Sequence, residues 1–323
     1  MKAHAETATI MVKDARGFKL VERSIWHFNK LYKTLPMGNP KRPAEINENL
    51  SLLTMSSSSS STNERTVLAP QTQVNFVYRK YRFVVSIDTS MSLFATDITT
   101  GLPVFSDILL KLYTMFLEIV RAVYIPNTEI VFNPEIFVSV VAQGTHPNPI
   151  VVLVQGFKLS AQKLPALLKI LEKRLRDLEE KVVGTLKASS FSDADDANVS
   201  SDLSNALRNA ALALKFLPEE ACPVVVVLTD GVLGPPSRMR EYENLVADFN
   251  RHSIPINIFQ LGQNLDFSTL PFGFLGNAKS LHWMCTSCSS LLFIISEASF
   301  MLLDQPIHSI NPFTHLQRKS LNS

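Results

Sequence analysis

Cysteine is scarce in this chain, with three residues among 323: Cys222, Cys285 and Cys288. A small, odd number argues against a disulfide framework and favours a reducing compartment. Cys285 and Cys288 form a C-x-x-C pair, but a zinc site would need two further ligands and His282 is the one nearby candidate. Two buried helix thiols are therefore favoured over a metal or redox site.

Long charged runs and long apolar runs are also missing. Charged residues make up 19% of the chain, the net charge is +2, and no basic block indicates a nucleic-acid partner. The first ten residues contain no apolar core of a signal peptide. The most apolar late stretch, 291–303, is interrupted by Glu297 and is too short to span a bilayer. These absences predict a soluble, cytoplasmic protein without a transmembrane segment.

The motifs of common α/β enzymes are absent as well. The sequence has no G-x-G-x-x-G, no G-x-x-x-x-G-K-[ST] and no G-x-S-x-G. Its seven histidines are scattered and indicate no triad. The sequence therefore predicts a protein that is not an enzyme, with nucleotide chemistry on a parallel sheet as the alternative.

Hydrophobic residues make up 46% of the chain, which is enough for a full core. Composition divides it into four parts. Residues 1–36 predict a strand at 7–12 and a helix at 24–35, and residues 37–63 predict a flexible linker around the serine run 56–61. A phosphorylation role for that run is the alternative. Residues 64–303 predict the main domain, and residues 304–323 a polar tail.

Strand and helix patterns alternate through the main domain. Strands are predicted at 81–87, 135–142, 150–155, 223–228 and 256–261. Helices are predicted at 106–123, 160–183, 202–217 and 238–252, and residues 279–303 also have a helical pattern. This order predicts a Rossmann-like α/β fold, a mostly parallel sheet with helices on both faces, preceded by the small N-terminal strand-helix segment.

Three polar clusters are expected to meet at the carboxyl edge of that sheet. Asp88, Ser90 and Ser92 form D-x-S-x-S directly after one strand, and Asp230 follows the valine-rich strand within Thr229-Asp230-Gly231. Serines precede the helix predicted at 202–217. Carboxylate and hydroxyl oxygens in this number suit a hard cation such as Mg²⁺ or Mn²⁺.

These clusters, in this order, resemble the metal-ion-dependent adhesion site of von Willebrand factor A domains. The resemblance implies a von Willebrand factor A-like fold and one divalent cation, held by Asp88, Ser90, Ser92, Ser201 and Asp230. The family has threonine where Ser201 stands, counted back from Ala206 and Leu207, and Ser200 is the alternative. A vestigial site, with both carboxylates satisfied by backbone donors and water, is the competing interpretation.

An insertion at 93–105, between D-x-S-x-S and the next helix, resembles the N-terminal region of the seizure threshold 2 family, the scaffold subunits of the KICSTOR complex. Segments that are similar to that family include residues 11–14, 26–28, 81–84, 132–136, 152–156 and 217–231. The likeness extends over most of residues 6–300. Because members of that family are several thousand residues long, we expect this chain to be a fragment or isoform of a longer protein.

The resemblance implies a non-catalytic scaffold that binds KICSTOR subunits and the GATOR GTPase-activating complex. Such a scaffold helps to restrain the TOR growth kinase when amino acids are scarce, from the cytoplasm and at the lysosomal membrane surface. The alternatives are a metal-dependent A-domain binding module unrelated to TOR signalling, and a structural A-like domain with a vestigial site.

Overall fold

The computed structural model describes residues 3–4, 6–16, 44–47, 50–56, 66–67, 73–89, 91–94, 101, 103–124, 129–143, 150–188, 203–229, 239–252, 254–261 and 292–294. The strands in these ranges are β1 Ala3–His4, β2 Thr7–Val12, β3 Ala44–Asn47, β4 Leu50–Ser56, β5 Thr66–Val67, β6 Gln73–Tyr78, β7 Lys80–Ile87, β8 Val123–Tyr124, β9 Val131–Phe132, β10 Glu135–Gln143, β11 Ile150–Leu159, β12 Cys222–Thr229, β13 Ile256–Gln260 and β14 Leu292–Ile294. The α-helices are α1 Ile108–Ile119, α2 Leu164–Ala188, α3 Leu203–Leu214 and α4 Met239–Arg251, and short 3₁₀ helices cover Met91–Phe94 and Val104–Asp107.

The main sheet has six strands in the order β11-β10-β7-β12-β13-β14. Numbered along the chain within this sheet, the order is 3-2-1-4-5-6, that of a doubly wound α/β fold. Five strands run parallel, and the edge strand β11 pairs antiparallel with β10. The predicted α/β class, with a Rossmann-like, mostly parallel sheet, is confirmed.

The central strands are apolar because both of their faces are covered. Phe83, Val85 and Ile87 of β7 pack with α1 and α2 on one face. Val84 of β7 and Val225 and Val227 of β12 pack with α3 and α4 on the other. Each helix contributes residues three and four positions apart, as an amphipathic helix does. The predicted helices on both faces are confirmed.

A second, four-stranded sheet has the order β3-β4-β2-β6. The strand predicted at 7–12 is confirmed as β2, and the helix predicted at 24–35 lies outside the described residues. Within the predicted linker, β3 and β4 are paired strands, and Leu50 and Leu52 of β4 are buried against β2 and β6. The linker interpretation is therefore wrong for 44–47 and 50–56, because these residues form paired strands of this sheet. The division of the chain into four parts stays a prediction.

One predicted element has the wrong type. Within the helical pattern at 279–303 the structure places strand β14, which pairs parallel with β13. A short apolar run does not distinguish a helix from a buried strand by periodicity. The open hydrogen-bonding edge of β13 decides in favour of the strand, and no sequence pattern reveals that edge.

Candidate functional site

Asp88 is the first residue after β7, at the carboxyl edge of the main sheet. Its backbone N–H donates to the carbonyl oxygen of Leu228 at 2.9 Å, so the pairing with β12 continues one residue past the strand. Its side chain is fully buried, with 0% exposure. A buried carboxylate is costly unless donors or a cation compensate its charge, so this position must supply one or the other.

Thr229 is the last residue of β12 and lies next to Asp88. Its hydroxyl Oγ1 donates to Oδ2 of Asp88 at 2.8 Å, and Thr229 is also fully buried. The hydrogen bond orients the carboxylate and supplies one of the donors that it requires. Thr229 is the threonine of the T-D-G motif, so Asp230 is the next residue along the chain, outside the described residues.

The position of this pair follows from the strand order. In a 3-2-1-4-5-6 sheet, strands one and four are neighbours and their connections leave in opposite directions, which opens a crevice at their carboxyl ends. Those strands are β7 and β12 here. Asp88 and Thr229 therefore lie at the switch point, where doubly wound folds bind their ligands.

Helix α3 begins at the same edge. Ser86 donates from Oγ to the carbonyl of Ala206 at 3.1 Å, and Arg82 donates from Nη1 to the carbonyl of Leu214 at 3.2 Å. These two bonds show that α3 runs antiparallel to β7, with its first turn beside the end of the strand that leads to Asp88. Ser204 in that first turn is buried. Ser201 precedes α3 by two residues along the chain, and it lies outside the described residues.

The third strand at this edge is β10. The hydroxyl of Thr89 donates to the backbone carbonyl of Gln143, the last residue of β10. Thr89 is itself buried. This bond ties the start of the D-x-S-x-S segment to β10, so the segment is held on one side by β12 and on the other by β10.

The structure thus describes part of the predicted cation set. Asp88 lies at the carboxyl edge of the main sheet, and Ser92, of which the backbone alone is described, lies within the 3₁₀ helix Met91–Phe94. Ser90, Ser201 and Asp230 lie outside the described residues. Whether the five residues converge stays a prediction. In kind of donor and in place, the described part fits a hard cation, because a carboxylate oriented by one hydroxyl lies at the switch point.

Among the described residues, no group of three or more His, Cys, Asp or Glu side chains is placed to hold a metal. The predicted set has a different composition, with two carboxylates and three hydroxyls. Thr229 and Gln143 were not assigned a role from the sequence. The T-D-G motif was a signal for Thr229, whereas Gln143 had no signal beyond being the polar residue that ends an apolar run.

Charged pairs lie at the opposite, amino edge of the sheet. Lys80 pairs with Glu220 and Lys158 with Glu135, each at 3.0 Å. A hydrogen bond from its own backbone N–H and another from Lys80 hold the pKa of Glu220 below its ordinary value. The hydrogen bond from Lys158 lowers the pKa of Glu135. These four residues are partly exposed and lie away from Asp88, so they concern stability rather than the site.

The predicted thiol pair is not described. Cys285 and Cys288 lie outside the described residues, and Cys222, at the start of β12, is buried. Cys222 packs with Tyr78 and Ile10 of the N-terminal sheet. Its burial matches the expectation of a cysteine that behaves as a small apolar residue.

No family model matches the chain. Among solved structures, the chain is similar to the SpRpn10 VWA domain, with 13% identity over 70% of this chain and 96% of that one and a TM-score of 0.42. It is similar to the conserved hypothetical protein BatB from Bacteroides thetaiotaomicron, with 11% identity over 70% and 97% and a TM-score of 0.42. A manganese-loaded TRAP protein of Plasmodium vivax matches with 13% identity over 59% and 60% and a TM-score of 0.35. Likenesses at these identities and scores carry no information on the ligands or partners of this chain.

None of the described helices is both long enough and apolar enough to cross a bilayer.

Proposed function

We propose that this chain is a non-catalytic protein-interaction module that binds its partner at the carboxyl edge of the main sheet. The observation that carries the proposal is the fully buried pair of Asp88 and Thr229, joined by a 2.8 Å hydrogen bond at the switch point of the sheet. A buried carboxylate at a ligand-binding edge favours a bound cation, because a cation compensates a charge that the core does not solvate.

The cation in this proposal is one Mg²⁺ or Mn²⁺. Asp88 and Asp230 supply carboxylate oxygens, and Ser90, Ser92 and Ser201 supply hydroxyl oxygens. When bound, the cation offers an open coordination position to an acidic side chain of a partner protein. Thr229 holds the Asp88 carboxylate in one orientation, and Thr89, bonded to β10, holds the start of the serine segment.

The finer proposal concerns the partner. Because segments such as 81–84 and 217–231 resemble the seizure threshold 2 family, we propose a scaffold role in a KICSTOR-like assembly. Such an assembly recruits the GATOR GTPase-activating complex and restrains TOR signalling. The site of action is then the cytoplasm and the lysosomal membrane surface. Binding of purified KICSTOR subunits or GATOR complex to the purified chain tests this proposal, and its failure leaves the cation site untouched.

One observation favours a second candidate function, a structural domain with a vestigial site. The Thr229 hydroxyl already satisfies part of the hydrogen-bonding requirement of Asp88. With further donors from water or backbone, the carboxylate would need no cation. An A-domain that binds partners through a cation, but has no link to TOR signalling, is the third possibility, and the experiments with KICSTOR and GATOR separate it from the finer proposal.

Calorimetric titration of Mg²⁺ and Mn²⁺ into the purified chain tests the cation site. We expect one saturable site, lost in Asp88→Asn, whose amide preserves the shape of the carboxylate but not its charge. Because Asp88 is buried, Asp230→Asn serves as a second variant, and an unfolding curve confirms that each variant is folded. Asp177→Asn, at an exposed position of α2, is the matched control and should bind like the wild type. A wild type that takes up neither ion contradicts the proposal.

A further inference from the structure

The register of the main sheet places four polar residues in one row at its carboxyl edge. Ala142 pairs with Ile87 and Leu228 pairs with Ile87, so the next positions along are Gln143 on β10, Asp88 after β7 and Thr229 on β12. Thr229 in turn pairs with Gln260 of β13. The row before it is entirely apolar and consists of Ala142, Ile87, Leu228 and Phe259.

Residues paired in register on parallel strands project to the same face of the sheet, about 4.8 Å apart. The hydrogen bond between Thr229 and Asp88 shows two members of the row in side-chain contact. On the other side of Asp88, the backbone carbonyl of Gln143 accepts a hydrogen bond from the hydroxyl of Thr89. Gln143 is therefore the neighbour of Asp88 on the β10 side, where its backbone carbonyl also holds Thr89 of the D-x-S-x-S segment.

The side-chain oxygen of Gln143, Oε1, is buried without a hydrogen-bond donor among the described residues. A buried carbonyl oxygen without a donor costs free energy, and native structures rarely retain one unless a ligand or water satisfies it. A carboxamide oxygen accepts hydrogen bonds and cannot donate them, so its missing partner is a hydrogen-bond donor.

We propose that Gln143 is a further residue of the cation site and that Oε1 accepts a hydrogen bond from a water bound to the cation. This inference rests on the proposed function. Mg²⁺ and Mn²⁺ keep several of their waters in protein sites, and a bound divalent ion polarises those waters into strong donors. The site then draws on three adjacent strands, β10, β7 and β12, rather than two, and Gln143 is a positioning residue for the hydrated ion.

The test is a calorimetric titration of Mn²⁺ into the wild type, Gln143→Met and Gln143→Glu. Methionine keeps the length of the side chain and removes the acceptor, and we expect the dissociation constant to rise about tenfold. Glutamate restores an oxygen and adds a negative charge, and we expect binding at least as tight as in the wild type. Gln155→Met, on the exposed side of β11, is the control and should leave the dissociation constant unchanged.

Stability without metal separates this role from a structural one. Because no protein group among the described residues donates to Oε1, Gln143→Met should leave the unfolding midpoint of the metal-free chain unchanged or raise it. A lower midpoint together with unchanged Mn²⁺ affinity would show a packing role and overturn the inference. If the wild type binds Mn²⁺ and Gln143→Met binds it equally well, the inference alone falls. If the wild type binds no Mn²⁺, the proposed function and the inference fall together.

Discussion

At the scale of single residues, the contact between Thr229 and Asp88 decides how the carboxyl edge behaves. Both side chains are fully buried, and the hydroxyl is a donor that the carboxylate would otherwise lack. Removing a donor from a buried charged group leaves part of its desolvation cost uncompensated, whereas removing an exposed hydroxyl has little effect. This difference leads to a prediction that does not depend on metal.

Thr229→Val keeps the shape of the side chain and removes the hydroxyl. We expect the metal-free chain to lose about 1–3 kcal/mol of unfolding free energy in urea. Thr114→Val is the matched control, since the Thr114 hydroxyl bonds the carbonyl of Leu110 at an exposed position of α1. The control should change stability by less than about 0.5 kcal/mol. Equal effects of the two substitutions would contradict the importance given to the Asp88 contact.

The sequence indicated Asp88 and Thr229 because their motifs are local. It gave no signal for Gln143, because the position of that residue depends on strand pairing. D-x-S-x-S and T-D-G are each local, and an apolar strand before each motif is enough to place Asp88 and Thr229 at strand ends. Gln143 becomes their neighbour through the pairing of β10 with β7, in which paired residues such as Ala142 and Ile87 are 55 positions apart along the chain. Without the register, a glutamine at the end of an apolar run has no special meaning.

At the scale of elements, α3 begins at the carboxyl edge, two residues after Ser201 along the chain. Leu207 on its inner face is fully buried against β7 and β12, whereas Leu212 on its outer face is 46% exposed. Burial in a packed core stabilises a leucine by both transfer and contact terms. The two leucines therefore provide a matched pair on one helix.

We expect Leu207→Ala to cost about 2–5 kcal/mol of unfolding free energy and Leu212→Ala less than about 1 kcal/mol. Denaturant unfolding followed by far-UV circular dichroism measures both. A cost for Leu207→Ala no larger than that for Leu212→Ala would mean that α3 does not pack on the sheet as described. The prediction that Ser201 lies at the carboxyl edge would then lose its support.

The ion pairs at the amino edge give the fold a dependence on pH. The pKa of Glu220 is lowered in the folded chain, so the folded state binds this proton less readily than the unfolded state. Its contribution to stability is fully present above the ordinary carboxyl pKa and is lost as the pH falls through the lowered pKa of the folded state.

Glu220→Gln should therefore reduce the stability that the chain loses on acidification from about pH 5 to pH 3. The measurement is the unfolding free energy of the wild type and the variant across that range. Glu243→Gln, at an exposed position of α4, is the control. A pH profile of Glu220→Gln that runs parallel to the wild-type profile would show that Lys80 does not stabilise the folded state through this carboxylate.

The elements that the sequence predicted correctly share one property, a long pattern with a clear period or a run of β-branched residues. Strand β12, with four consecutive valines, and helix α2, with leucines three and four positions apart, are of this kind. Strands β3, β4 and β14 were not predicted, because a short strand forms where a neighbouring strand offers its edge. That edge is a property of the assembled sheet.

At the scale of the whole molecule, the two sheets are joined closely. Arg79 is the single residue between β6 and β7, and its N–H donates to the carbonyl of Val12 at 2.8 Å. Ala15 donates to the carbonyl of Glu220 at 2.8 Å, and the rings of Tyr78 and Tyr81 meet edge to face at 5.8 Å. Contacts of this kind couple the stability of one sheet to that of the other.

Ile10 is fully buried in the N-terminal sheet and provides the test of that coupling. We expect Ile10→Ala to lower the unfolding free energy by about 2–5 kcal/mol and to reduce hydrogen-exchange protection in β2 and β7 together. If protection falls in β2 and stays unchanged in β7, the two sheets unfold separately and the coupling is contradicted.

The central claim is that a divalent cation binds at the carboxyl edge, against Asp88. Anomalous diffraction from crystals grown with Mn²⁺ measures this most directly. We expect one anomalous peak at the ends of β7 and β12, with oxygens of Asp88 and Asp230 among its nearest protein atoms. Density for water alone between well-ordered Asp88 and Asp230 side chains, at a saturating Mn²⁺ concentration, would contradict the claim.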